Sequence, residues 1–141
     1  MPKEVKPSEQ PRAVAYLRLD EDGDDYQFAE LLKDIAVCCQ REELRLARTF
    51  TDRGYDGQVL ARPGLADLRE ALRDRPGLVV VVPTLDHLSP SELIRGPLLL
   101  MIHRHGGRLL VANEPNGHTD DFGVTQYGVW VDLDGTTSGS P

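Results

Sequence analysis

The chain is poor in cysteine and in long apolar runs. Only two cysteines occur in 141 residues, Cys38 and Cys39. They are adjacent in a predicted helix, where neighbouring side chains point about 100° apart, so no ordinary disulfide is expected. No Cys/His spacing typical of a metal or redox site accompanies them. The longest apolar candidate, Leu98–Ile102, falls far short of the roughly 20 residues of a membrane helix. Residues 1–12 contain no apolar segment of a signal peptide. We therefore expect a cytoplasmic protein with no membrane contact.

Positive charge is also scarce. Lysine and arginine together number 16 against 23 acidic residues, which gives a net charge of −7. Such a balance opposes electrostatic attachment to DNA, RNA or anionic lipid, so DNA binding is expected to be weak or absent. Lysine occurs three times against thirteen arginines, a bias that indicates a GC-rich bacterial genome.

Strand and helix patterns alternate along most of the sequence. The predicted elements are a strand at Ala13–Leu19, a helix from Asp25 to about Leu44, a strand at Leu44–Asp52, a helix marked by Leu65, Leu68 and Leu72, a strand at Leu78–Pro83, a helix from about Ser91 to His105, and a strand reading RLLVAN. The unbroken run LVVVVP is typical of a central parallel strand that is covered on both faces. The alternation predicts a three-layer α/β sandwich with a mostly parallel sheet of four to five strands.

The length suits one domain with flanking segments. Residues 1–11 are rich in Pro, Lys and Glu and are predicted to be a flexible N-terminal arm. Residues 12–114 form the predicted α/β domain. Residues 115–141 are predicted to contain a loop, one short strand around Tyr127–Leu133 and a flexible tail.

Three motifs resemble the catalytic domain of serine recombinases, the resolvase/invertase family. Members open with a strand reading Y-x-R-V-S, where this chain has YLRLD. They carry R-P-G-L before a helix, where this chain has ARPGLADL. In the third motif an apolar strand leads into D-R-L-S-R, where this chain has DHLSP. Order, spacing and context agree across about Arg12 to Glu114. The resemblance implies a resolvase-like fold.

In that family a serine hydroxyl attacks a DNA phosphodiester, and arginines bind the scissile phosphate. In this chain Asp20 occupies the position of the serine, and His87 and Pro90 occupy the positions of the two arginines of the third motif. The motif matches that remain are Arg18, Arg62 and Asp86. An ionised carboxylate cannot form a phosphoserine link and repels phosphate.

These departures predict a catalytically inactive pseudo-recombinase without a cofactor or a metal. Arg18 and Arg62 are expected to form ion pairs with Asp20 or Asp86, which would convert the ancestral site into a structural network. His87 beside Asp86 is interpreted as a surface or loop histidine, because adjacent strand residues point to opposite faces.

The acidic stretch DEDGDD, which begins at Asp20, alternates carboxylates as a calcium loop does. A calcium loop has Gly at its sixth position and Glu at its twelfth, whereas this chain has Asp25 and Leu31. A solvated acidic loop with a helix cap is therefore favoured over a metal site.

Three hypotheses remain open. The favoured one is an inactive recombinase-like domain that acts through protein–protein contacts as a regulatory module, with an unknown protein partner or as a homodimer. The alternatives are a DNA-associated accessory of a site-specific recombination system, and a metal-dependent enzyme that uses the acidic loop. After Glu114 neither a long dimerising helix nor a basic recognition helix is evident, which places DNA targeting and the family's dimer contact in doubt.

Overall fold

The computed structural model describes residues 10–132 and 137–139. The expected N-terminal arm, apart from residues 10 and 11, and most of the expected C-terminal tail lie outside these residues. The elements in chain order are β1 (Arg12–Leu19), α1 (Asp25–Arg41), β2 (Arg45–Arg53), α2 (Pro63–Asp74), β3 (Val79–Val82), a 3₁₀ turn (Leu85–His87), α3 (Glu92–Arg104), β4 (Arg108–Thr119), β5 (Thr125–Val131) and β6 (Thr137–Gly139).

One mixed sheet organises the chain, with strand order β2-β1-β3-β4-β5-β6. The first four strands of the sequence are mutually parallel, β5 pairs antiparallel with β4, and β6 pairs antiparallel with β5. The predicted α/β fold is confirmed. The sheet has six strands rather than four to five, because the three-residue β6 extends its edge. That strand reads Thr-Ser-Gly and carries no alternation of apolar residues that could have indicated it.

Helices cover both faces of the sheet. Helix α1 contributes Ile35, Cys38 and Cys39 to the core on one face, and α2 and α3 supply the leucines and Ile102 that cover the other. The four valines of β3 alternate between these two cores and are all buried. Because β3 is covered on both faces of the sheet, every residue of the strand is apolar.

The segment from residue 115 departs from the predicted loop. Strand β4 continues to Thr119 and forms a hairpin with β5, with Pro115 opposite Tyr127 and Thr119 opposite Thr125. Its residues EPNGHT have the composition of a turn, but pairing with β5 outweighs that local preference. The chain actually turns at residues 120–124.

The topology places a crevice at the carboxyl ends of β1 and β3. These strands are neighbours, and the chain leaves β1 toward β2 on one side and β3 toward β4 on the other. In open α/β sheets, such a switch point is where ligands bind. Within residues 10–132 and 137–139, no helix is long and apolar enough to cross a membrane.

Candidate functional site

A polar cleft of ≈ 280 Å³ opens at this switch point. Its lining residues are Arg18, Leu19, Asp20, Gln27, Leu31, Thr84, Asp86 and His87. The fold thus brings together four of the six site positions that the sequence indicated. The other two, Arg62 and Pro90, are not among the lining residues.

Arg62 is the N-cap residue of α2, and only 1% of it is exposed. Its Nε donates to the carbonyl oxygen of Val59 at 2.6 Å, and one terminal nitrogen donates to that of Leu88 at 2.6 Å. The other terminal nitrogen donates to the Tyr16 hydroxyl at 3.1 Å and to the His87 carbonyl at 3.4 Å. The guanidinium therefore joins β1, the loop before α2 and the segment after β3.

A buried pair that sequence reasoning missed completes this network. The Tyr16 hydroxyl donates to Oδ2 of Asp52 at 2.7 Å, and the Asp52 carboxylate accepts the amides of Gly64 and Leu65 at 2.7 and 2.9 Å. Asp52 thereby caps α2 from near the end of β2, where one signal was available: an acidic residue two positions after Phe50 in the predicted strand. Burial, followed by the hydrogen bond to Asp52, raises the pKa of Tyr16.

Gly64 is required for that cap. A Cβ at this position would lie 2.7 Å from the Thr51 carbonyl oxygen and 2.9 Å from Oδ2 of Asp52. Real Cβ atoms do not approach so closely. The glycine of the R-P-G-L motif therefore allows α2 to begin directly against β2.

Arg18 donates to main-chain oxygens as well. One terminal nitrogen donates to the carbonyl oxygen of Asp86 at 2.9 Å, and the other donates to the carbonyl oxygen of Tyr55 at 3.3 Å. The expected ion pairs of Arg18 and Arg62 with the carboxylates of Asp20 or Asp86 are therefore wrong. Loop carbonyls need donors where no strand supplies them, whereas both carboxylates are exposed to water.

Other charges surround Asp86. Its carboxylate lies 3.8 Å from Arg95, on α3, which is also 3.8 Å from Glu92. Both acids are well exposed, so these contacts contribute little to stability.

His87 connects the two strands of the switch point. Its Nδ1 accepts the Arg18 main-chain amide at 3.0 Å, which fixes Nδ1 as the unprotonated nitrogen. Burial, and then the charge of Arg18, lower the pKa of His87 to about 4. The imidazole is consequently neutral at pH 7. Of the expected surface or loop position, the structure shows the second: His87 lies in the turn after β3 and is half-buried.

Pro90 contacts the loop that precedes α2. A Cβ on Gly57 would lie 2.5 Å from Cδ of Pro90 and 3.1 Å from Cζ of Arg18, so the loop backbone lies directly against both side chains. The space beside Pro90 is therefore filled by the protein's own main chain.

The acidic stretch forms a turn and a helix cap. Asp24 is the N-cap of α1, and its Oδ1 accepts the amide of Gln27 at 2.7 Å. The Gly23 amide donates to the Asp20 carbonyl at 3.0 Å, and Arg53 donates to the Gly23 carbonyl. Among the residues that the structure describes, no group of three or more His, Cys, Asp or Glu could hold a metal ion.

A family comparison agrees with the motifs and the site geometry. The family model described as "Resolvase, N terminal domain" matches residues 13–130. The chain belongs to this family. The match extends beyond Glu114, where the motif resemblance ended, and includes most of the β4–β5 hairpin. Membership supports a role related to site-specific recombination.

Solved structures share the fold. The N-terminal catalytic domain of TP901-1 integrase is 20% identical, with a TM-score of 0.64 over 72% of this chain and 77% of that one. The C-terminal catalytic domain of ISC1926 TnpA, an IS607-like serine recombinase, is 18% identical, with a TM-score of 0.63 over 71% and 68%. The first open reading frame of transposon ISC1904 from Sulfolobus solfataricus P2 is 18% identical, with a TM-score of 0.57 over 77% and 72%. A comparison with curated proteins gave no match.

Proposed function

We propose that this chain is a catalytically inactive serine-recombinase-like domain that acts as a protein–protein interaction or regulatory module. The observation that carries the proposal is Asp20, which lines the cleft at the position where the family has its nucleophilic serine. A carboxylate there cannot supply the hydroxyl that the family's phosphoserine link requires.

The electrostatics of the cleft support this proposal. A unit negative charge on a phosphate about 4 Å from the Asp20 carboxylate would be repelled by about 1 kcal/mol in bulk water and by about 4 kcal/mol near a protein surface. Glu21, Asp22 and Asp24 lie on the adjacent turn and are exposed. They add negative charge on the side from which a phosphate would approach.

The cations of the site are engaged elsewhere or missing. Arg62 is buried and donates to three carbonyl oxygens, and Arg18 donates to two. His87 is neutral at pH 7, and Pro90 has no donor at all. Losing one donor that stabilises a transition state typically costs about 3 kcal/mol or more of activation free energy. Losses at two positions together make cleavage negligible.

A restoration series tests the proposal. We expect no covalent protein–DNA adduct from the chain on nicked or supercoiled DNA, with an active serine-recombinase catalytic domain as the positive control. Asp20→Ser restores the nucleophile, but it is also expected to stay inactive because positions 87 and 90 still lack cations. An adduct formed by the unchanged chain would contradict the proposal.

The regulatory part of the proposal requires a protein partner. Affinity capture of the chain from a bacterial lysate, with and without nuclease, is expected to retain a stoichiometric protein after nuclease treatment. If every captured protein is lost on nuclease treatment, contacts through nucleic acid replace the proposed protein contacts.

One observation favours a DNA-associated accessory as a second candidate. Arg12 and Arg45 lie opposite each other on neighbouring strands at the amino end of the sheet, and Arg75 ends α2. The charge of Arg75, then desolvation and then the charge of Arg45 lower the pKa of Arg12, so Arg12 lies close enough to each of the other two arginines to be repelled by it. Phosphates bound between such groups would relieve that repulsion.

A charge-matched pair of variants tests this second candidate. If the amino end binds DNA, Arg12→Gln with Arg75→Gln abolishes the mobility shift of a short duplex at low salt, whereas Arg53→Gln with Arg95→Gln, near the carboxyl end, does not. Equal loss in both double variants would indicate only nonspecific attraction.

A further inference from the structure

The hairpin formed by β4 and β5 presents an exposed apolar tip. Phe122 is 91% exposed and Val124 is 59% exposed, although the turn that carries them is firmly closed. Oδ1 of Asp120 accepts the amides of Phe122 and Val124, each at 2.8 Å. The main chains of Asp120 and Val124 are joined at 3.0 Å, and the Gly123 amide donates to the Asp120 carbonyl at 3.0 Å. The closed turn fixes the main chain that carries Phe122, and an exposed aromatic side chain has a large apolar surface to bury against a partner.

A groove of ≈ 340 Å³ lies between α1 and the same hairpin. Its apolar part consists of Val37, Ala112 and Tyr127, of which Val37 is 53% exposed and Tyr127 is 44% exposed. The groove has space for an aromatic ring, and its walls are held by Asn113, which donates to Asp34 at 3.1 Å, and by Arg41, which donates to the Tyr127 carbonyl.

The charges of the tip and the groove are complementary. Lys33, Val37 and Arg41 are four residues apart and share one face of α1, so two cations flank the apolar patch. Beside Phe122 on the tip lies Asp121, which is exposed. Asp120 adds a second negative charge to the tip. The single acid of the groove lining, Asp34, accepts a hydrogen bond from Asn113, so the groove lining carries two cations against one carboxylate.

We infer that the tip of one copy of the chain docks in the groove of a second copy: Phe122 enters the patch formed by Val37, Ala112 and Tyr127, and Asp121 approaches Lys33 and Arg41. Tip and groove belong to the same hairpin. A two-fold axis beside it therefore allows both copies to make the same contact, and the assembly closes as a dimer. The surface is separate from the cleft at the switch point, so the inference does not depend on the cleavage assay.

Sedimentation velocity of the full chain tests this inference. We expect a concentration-dependent dimer that weakens as salt rises, because the charge contacts at the rim are screened. Phe122→Ser is expected to weaken the dimer about 30-fold or more, as the loss of an anchor residue does. The control is Leu93→Ser, at an 88% exposed apolar position on α3, which should leave the dimer unchanged.

A charge exchange provides the second arm. Lys33→Glu and Asp121→Lys should each weaken the dimer several-fold, and the double variant should recover most of the loss because the pair is restored with reversed signs. A chain that stays monomeric at all concentrations would overturn the inference. So would a dimer that is unaffected by Phe122→Ser, or one in which the two charge changes are simply additive. Circular dichroism of each variant verifies that the fold is retained.

Discussion

At the scale of single residues, Arg62 has the largest volume among the fully buried side chains. The R-P-G-L motif indicated this arginine, and the sequence predicted a structural role for it, but with other partners. An ion pair with Asp20 or Asp86 was expected, whereas this guanidinium donates to carbonyl oxygens and to the Tyr16 hydroxyl. Tertiary structure brings these acceptors together, and most of them are main-chain atoms, so no residue type in the sequence reveals them.

The structural role of Arg62 makes it sensitive to a conservative change. Arg62→Lys should lower the free energy of unfolding by about 2–4 kcal/mol, because an ammonium group lacks the planar fork and leaves buried carbonyls without donors. Urea unfolding measures this loss. Arg73→Lys, exposed on the same helix, is the control. A loss no greater than that of the control would show that the network is not structural.

Tyr16 links Arg62 to Asp52, so its hydroxyl can be tested separately. Tyr16→Phe should reduce the free energy of unfolding by about 1–3 kcal/mol, since two buried polar groups each lose a partner. Tyr26→Phe, at a 74% exposed position, removes a hydroxyl from the surface and should change almost nothing. Equal midpoints of urea unfolding in the two variants would argue against the network.

His87 makes stability depend on pH. Its pKa is about 4 in the folded protein, against about 6.5 when unfolded. Between these values the unfolded state binds more protons, so the free energy of unfolding rises with pH from about 4 to 6.5. The contribution of His87 to stability is complete above this range and is lost as the pH falls through it. The contribution is roughly 3 kcal/mol. In His87→Asn the amide oxygen can still accept the Arg18 amide, and this part of the pH dependence should disappear in urea titrations. An unchanged slope would contradict the assignment.

At the scale of elements, the helices and the parallel strands could be predicted because their apolar spacing is regular. Leu65, Leu68 and Leu72 mark the buried face of α2, and all are buried as expected. The second half of β4 could not be predicted. Its residues are mostly exposed, and it becomes a strand only through pairing with β5, which is a contact between segments and not a property of either.

The acidic stretch between β1 and α1 includes the N-cap residue of α1, Asp24. Asp24→Ala should destabilise the protein by about 1 kcal/mol, because the Gln27 amide loses its acceptor and the helix loses a negative charge at its positive end. Asp22→Ala removes an equal charge from the same turn without removing the N-cap, and it should cost much less. Thermal unfolding compares the two variants, and equal shifts in melting temperature would show that only net charge matters.

At the scale of the whole molecule, the charged side chains are unevenly distributed over the sheet. Exposed acids are frequent at the carboxyl end around Asp20. Three arginines lie at the amino end beside exposed acids: Arg12, Arg45 and Arg75, with Glu43 and Asp74. The net charge of −7 averages over both ends. Composition therefore predicts weak DNA binding for the surface as a whole, and it carries no information about a local group of arginines.

The family and the positions of the candidate site could both be read from three short motifs. What those motifs could not supply is the environment of each side chain. The carbonyl partners of Arg18, the low pKa of His87 and the contact of Gly57 with Pro90 all arise from segments 30 to 70 residues apart. The motifs predict that the family's serine and two arginines are replaced, but they could not indicate the main-chain partners of Arg18 and Arg62.

Inactivity of the cleft is tested most directly by a denaturing gel of the unchanged chain incubated with labelled DNA, with Asp20→Ala alongside. We expect no band in which protein and DNA remain joined, for either protein, under conditions in which an active catalytic domain produces one. A covalent band from the unchanged chain that disappears in Asp20→Ala would show that the cleft performs chemistry on DNA, and it would contradict the proposed inactivity.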